Sequence, residues 1–168
     1  MNPATPFAIP LIAASLLCAL AGQLRATLVI SEFMAINDGT LADGDGDYSD
    51  WIEILNAGDQ PADLSGYWLT DRADDLTGWR FPDVIVDPGQ TMLVFASGKD
   101  RDEPAAELHT NFRLSSGGES LALVAADGTT VVHEFAPAYP PQVVDVAYGI
   151  APDQLAQTLI PAGATAKY

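Results

Sequence analysis

The stretch LALVAADGTTVVHEF, residues 121–135, decides the fold class. Two runs rich in apolar and β-branched residues, 121–126 and 129–135, flank Asp127-Gly128. Asp-Gly favours a two-residue hairpin turn, because that turn needs positive φ, which Gly takes freely and Asp tolerates. A β-hairpin is expected here. Immediately upstream, residues 108–114 (LHTNFRL) alternate: Leu108, Thr110, Phe112 and Leu114 share one face, and His109, Asn111 and Arg113 the other. The turn formers Ser115-Ser116-Gly117-Gly118 separate the two segments.

Further out, Asp87-Pro88-Gly89-Gln90 has Pro and Gly where a type II turn wants them. It leads into residues 91–97 (TMLVFAS), apolar on both faces as a central strand should be. Residues 28–35, 51–56, 67–70, 77–81 and 143–148 supply further strand-like runs. The total is about nine short strands with frequent turn signals, no helical periodicity and no internal repeat, which predicts an all-β antiparallel sandwich or barrel.

Length and composition agree. A chain of 168 residues, 48% hydrophobic with 14 Gly and 12 Pro, suits one core with many turns plus an export segment. Residues 7–21 (FAIPLIAASLLCALA) form an uncharged apolar run too short to span a bilayer comfortably, ending in the cleavage pattern Ala19-Leu20-Ala21. We read residues 1–21 as a signal peptide, with a second possible cut after Ala26. The n-region lacks Lys and Arg, and Pro10 interrupts the run; a retained short anchor is the other reading. Cys18, the one cysteine, lies inside this segment behind Leu17, a poor lipoprotein context. The mature chain then has no disulfide and no thiol. The domain is expected over residues 27–149. Residues 150–168 read as a linker, a flexible terminus, or the truncated start of a further module.

The charge is −16, from 23 acids against 7 bases. It repels phosphate backbones and anionic membrane surfaces, so neither nucleic acid nor, after signal cleavage, a membrane is expected as a partner. It suits a secreted or cell-surface location in salty or calcium-containing water.

Several pieces occur in order and resemble the lamin tail domain. They are residues 30–35 (ISEFMA), 49–54 (SDWIEI), 63–71 (DLSGYWLTD), 79–82 (WRFP), Pro88-Gly89, 93–96 (LVFA), Leu114-Ser115 and Asp127-Gly128-Thr129. The resemblance runs from Leu28 to Tyr148 and is to the bacterial, secreted version of the domain. It implies an immunoglobulin-like β-sandwich, often joined to further domains in long surface or secreted proteins. It also implies a scaffolding or adhesion role, with no catalytic residues to carry over.

The candidate sites are few. Asp43, Asp45 and Asp47 alternate with glycines, and Asp50 and Glu53 follow. Calcium takes about six to eight oxygens, and glycines let a loop wrap a cation. The EF-hand pattern fails, since the sixth position from Asp43 is Tyr48 and the twelfth is Ile54. Asp43, Asp45, Asp47 and Asp50 are thus either a calcium site or a solvated acidic loop. His109, Asn111 and Arg113 form either a partner- or sugar-contacting face or a plain solvent face. His133 reads as a hydrogen-bonded core or edge residue. Trp51, Trp68 and Trp79 read as packing, or as a stacking platform if exposed. Ser115 and Ser116 lack a nucleophile elbow, and carboxylate pairs arise by chance in so acidic a chain. The protein is expected to be a non-catalytic secreted module that meets a protein or a polysaccharide. A calcium-dependent carbohydrate- or surface-binding module and an accessory domain of a longer secreted enzyme are the alternatives.

Overall fold

A computed structural model of the chain describes residues 26–150. The expected export segment and C-terminal linker lie outside the described residues. Eleven strands form in order: β1 (Leu28–Met34), β2 (Asp50–Asn56), β3 (Ala62–Asp63), β4 (Trp68–Thr70), β5 (Trp79–Arg80), β6 (Ile85–Val86), β7 (Thr91–Ala96), β8 (Leu108–His109), β9 (Leu121–Val124), β10 (Val131–Phe135) and β11 (Tyr148–Gly149).

They assemble into a five-stranded sheet, order β11-β1-β2-β7-β8, and a four-stranded sheet, order β10-β9-β4-β5, with β3 and β6 as a small separate pair. The architecture is an all-β, immunoglobulin-like sandwich. Every named pairing is antiparallel except β7 with β8, which is parallel. The inner faces of the two sheets supply the core, with Ile30, Phe33, Ile52, Ile54, Val94, Leu69, Leu121 and Leu123 fully or almost fully buried. Burying such side chains contributes roughly 1.5–3 kcal/mol each before chain entropy is subtracted.

The hairpin read from Asp127-Gly128 is present. Gly128 has φ +69°, and its N–H donates to Ala125 O at 2.9 Å. The Asp127 carboxylate accepts the Thr130 hydroxyl at 2.6 Å and the Thr130 and Thr129 N–H groups at 2.8 and 2.9 Å, which holds its pKa down at about 2. The 115–118 turn closes as read. Gly118 is at φ +94°, where a Cβ would sit 2.2 Å from Tyr139 O, so no other residue fits.

Two readings need correction. Residues 143–148 are not one strand: Val146 N–H turns back onto Val143 O, and pairing begins only at Tyr148 in β11. Residues 108–114 are not one alternating strand. Strand pairing stops after His109, and Thr110 turns its hydroxyl onto Phe112 O at 2.8 Å. A single isolated bridge, Arg113 to Ser97, is all that follows. The 91–97 strand is interior as read, since β7 pairs with β2 on one side and β8 on the other. Its second apolar face is covered by loops instead of by strands. Trp51, Phe95 and Met34 form a second buried cluster on the outer side of the sheet. Leu41, Ala42, Ala106 and Leu108 gather beside Leu93 and Phe95 around an apolar hollow of about 220 Å³.

Candidate functional site

The acidic loop organises itself around one carboxylate. Asp43 is buried, and its Oδ1 accepts the N–H groups of Asp45 and Asp47 at 3.0 and 3.1 Å. Ser49 donates its hydroxyl to Oδ2 at 3.0 Å. The backbone closes the same loop, with Asp43 N–H on Asp47 O and Gly46 N–H on Asp43 O. Upstream, Asn37 fixes the entry by donating to Leu41 O and Ser49 O at 2.6 and 2.8 Å.

The expected triad converges: a carboxylate oxygen of each of Asp43, Asp45 and Asp47 lies within 4.8 Å of the others. Asp50 is not part of that group. The cation at the centre is Lys99, whose Nζ lies 2.6, 2.7 and 3.0 Å from the three carboxylates. Arg101 adds a second contact to Asp45 at 2.8 Å. Burial pushes the Asp43 carboxyl up, but the Lys99 ammonium and the N–H and O–H donors outweigh it and bring its pKa down to about 2. The same cage raises the Lys99 pKa against its own desolvation. A calcium ion would have to displace an ammonium already held by three carboxylates. Sequence reading missed Lys99, Arg101 and Glu107, which holds the Gly44 N–H at 2.6 Å. The available signal was the segment Gly98-Lys99-Asp100-Arg101, where two of only 7 bases stand close together directly after a strand.

His109, Asn111 and Arg113 do not form one face. His109 is 1% exposed, stacked on Phe95 at 5.2 Å, with Nδ1 bonded to Ser97 Oγ at 2.9 Å. Its Nε2 has no hydrogen-bond partner and stands 3.9 Å from Glu107. Burial first, then the neighbouring Lys99, lowers its pKa and keeps it neutral. Asn111 and Arg113 are exposed: Asn111 donates to Gly78 O at 2.8 Å and Arg113 Nε to Ser97 O at 2.9 Å. His109 is buried on the side that alternation assigns to solvent because loops cover the outer side of the sheet there.

His133 sits on the edge strand β10 as expected, with its ring edge-on to Phe135, but its buried Nδ1 has no hydrogen bond. Trp51 and Trp79 are buried, and half-buried Trp68 has the Arg80 guanidinium 5.8 Å from its ring. Packing is what the structure shows for all three.

Asp50 stands apart chemically. It is half-buried, and burial raises its pKa to about 6, against the backbone N–H groups of Asn37 and Leu114 and the charge of Arg113.

The inner-face core, two sheets and Greek-key-like pairing of non-consecutive strands define an immunoglobulin-like β-sandwich module. The lamin tail domain family model matches residues 23–137, more than half of the chain. The chain belongs to that family. A search of the curated proteins finds no match to it.

Two measurements test this site. Lys99→Met leaves Asp43 and Asp47 without their counter-charge and Asp45 with Arg101 alone, and should cost about 2–4 kcal/mol. Millimolar calcium should raise the variant's Tm by several degrees and the wild type's by much less, because only the variant's cage lacks its ammonium. A variant as stable as wild type and indifferent to calcium would show the cage to be inert. Asp50 titrates at about 6 folded and near 3.8 unfolded, so protonation favours the fold and stability falls as pH rises from about 4 through 6. Asp50→Asn should therefore gain about 1 kcal/mol at pH 7, after discounting for solvent, and little at pH 4. An equal effect at both pH values in denaturant melts would count against it.

Proposed function

We propose that the protein is a non-catalytic scaffold or adhesion module of a secreted or cell-surface protein, of the bacterial type. Its work is done by surface contact with a protein or a polysaccharide. Membership of the lamin tail domain family supports a module role. The observation that carries the contact reading is an exposed apolar flank. β10 is the edge of one sheet and β11 the edge of the other, and the two adjoin through Phe135 and Tyr148, whose rings are 5.8 Å apart. On and beside these edges Val131, Val132, Val143, Val144, Val146 and Tyr148 are all more than a third exposed. A soluble domain rarely leaves such a group of residues open unless something meets it. A sheet edge with free backbone donors and acceptors adds a second means of contact. Val132 lies at a register shift between β9 and β10, so its side chain is spared from the core pairing. Export is supported by the apolar leader and by the −16 charge.

Expressed with its own leader in a secreting bacterium, the chain should appear outside the cytoplasm with its N-terminus at Gly22, or at Thr27 if the second site is used. Mass spectrometry of the mature protein reads this directly. Val132→Lys with Val144→Lys should cut retention on the cell surface several-fold while moving Tm by only about 2–3 °C, since both sites are open to solvent. A cytoplasmic chain with Met1 intact, or retention that ignores both substitutions, would overturn the proposal.

A further inference from the structure

A polar cleft of about 400 Å³ opens beside the cage. One wall is Asp47, Tyr48, Ser49 and Asp50, the last part of the acidic loop and the first residue of β2. The other is Ala96, Ser97, Lys99 and Arg113. The size lies within the range of small-ligand sites, about 300–1,000 Å³.

Most of its polar groups are already committed. Ser97 Oγ bonds His109 and accepts the Lys99 N–H at 3.1 Å, the Ser49 hydroxyl serves Asp43, and the Lys99 ammonium serves the cage. Three groups keep capacity for a ligand. The Arg113 Nε is held on Ser97 O, which fixes the guanidinium and leaves its two NH₂ groups without a hydrogen bond or ion pair among the described residues. The Asp50 carboxylate accepts the Asn37 and Leu114 N–H groups, which leaves acceptor capacity on its two oxygens, and it feels the Arg113 charge without an ion pair to it. Tyr48 is 51% exposed at the rim.

A rigid set of donors and a carboxylate facing one cleft without pairing suits a ligand that both donates and accepts. An anion would be repelled by Asp47, Asp50 and the net charge of −16. A cation would meet Arg113 and Lys99. A neutral polyhydroxylated ligand meets neither obstacle, because adjacent hydroxyls can accept from a guanidinium and donate to a carboxylate together. An exposed aromatic ring gives the apolar face of a sugar a place to pack. We propose that this cleft binds a unit of a neutral polysaccharide, with Asp50 and Arg113 clamping neighbouring hydroxyls and Tyr48 packing on the ring. This deepens the reading of the protein as an extracellular contact module and rests on it.

The test is calorimetric titration of the full mature chain with cellohexaose, xylohexaose, mannohexaose and N-acetylchitohexaose, and with hexagalacturonate as the anionic counterpart. At least one neutral oligosaccharide should bind saturably and the anionic one should not. Tyr48→Ala and Arg113→Gln should each weaken that binding by about tenfold or more, with the Tm of Tyr48→Ala within about 2 °C of wild type. Binding by none of the neutral chains, by hexagalacturonate alone, or equally by both variants sinks the proposal. If the chain is surface-retained yet binds no neutral oligosaccharide, the cleft proposal falls and the module reading stands. If the chain stays in the cytoplasm, the module reading falls whatever the sugars do.

Discussion

The outer side of the five-stranded sheet presents Met34, Trp51 and Phe95, and these would face water in a bare sandwich. Leu41 and Ala42 of the acidic loop lie beside Phe95, and that loop is held by the Lys99 ammonium, with Arg101 on Asp45 and Glu107 on the Gly44 N–H as further ties. Lys99 follows β7 directly, after Gly98 at φ +74°, so its position is set by the same strand that carries Phe95. Its three contacts to Asp43, Asp45 and Asp47 tie a loop between β1 and β2 to a turn after β7. The pair Lys99–Asp43 is neither a surface ion pair of negligible weight nor a fully desolvated one: the Asp43 side chain is buried and Lys99 is 20% exposed. Charge pairing and apolar burial are thus coupled on this side of the molecule.

Part of the large negative charge has a structural role that does not need a ligand. Asp63, Asp75, Asp127 and Asp145 each accept hydrogen bonds from backbone N–H or hydroxyl groups at a turn, and Asp145 does so across the chain, capping Asp38, Gly39 and Thr40. These are Asx turns and loop pins, work that Asp does because a short carboxylate reaches the N–H groups two or three residues on. The pKa values of Asp63, Asp127 and Asp145 are lowered by those donors. Their stabilisation is present above the ordinary carboxylate range and is lost as pH falls through the lowered values, the opposite sense to Asp50.

What was legible in the sequence was whatever is local. The Asp127-Gly128 hairpin, the Pro88-Gly89 turn, the Ser115–Gly118 turn and the strands β1, β2, β7 and β9 announce themselves through side-chain period and φ requirements within a few residues. The lamin tail likeness was legible for the same reason, as ordered strand-and-turn pieces. The small β3–β6 pair was not, because two-residue strands carry no period. His109 was misplaced because alternation reports two faces of a strand but not what lies over each. The convergence of Asp43, Asp45 and Asp47 could be read from their spacing. Their partner could not: Lys99 is 56 residues away, and nothing local distinguishes a lysine that reaches back from one that reaches out.

The cage also bears on the cleft beside it. Asp47 belongs to both, and three residues later Asp50 opens β2, paired with Ala96 of β7. Tyr48 and Ser49 are therefore anchored at both ends, by an ion cluster on one side and a sheet register on the other. On the opposite wall Ser97 links His109, the Lys99 backbone and Arg113 in one hydrogen-bonded unit. A loop of this composition would ordinarily be the most mobile part of a sandwich, and ordering it on binding would cost affinity. Here the ordering has been done in the folded chain. The ammonium that ties the acidic loop to the turn after β7 also stiffens the adjacent wall, so the position of Lys99 answers to both demands at once.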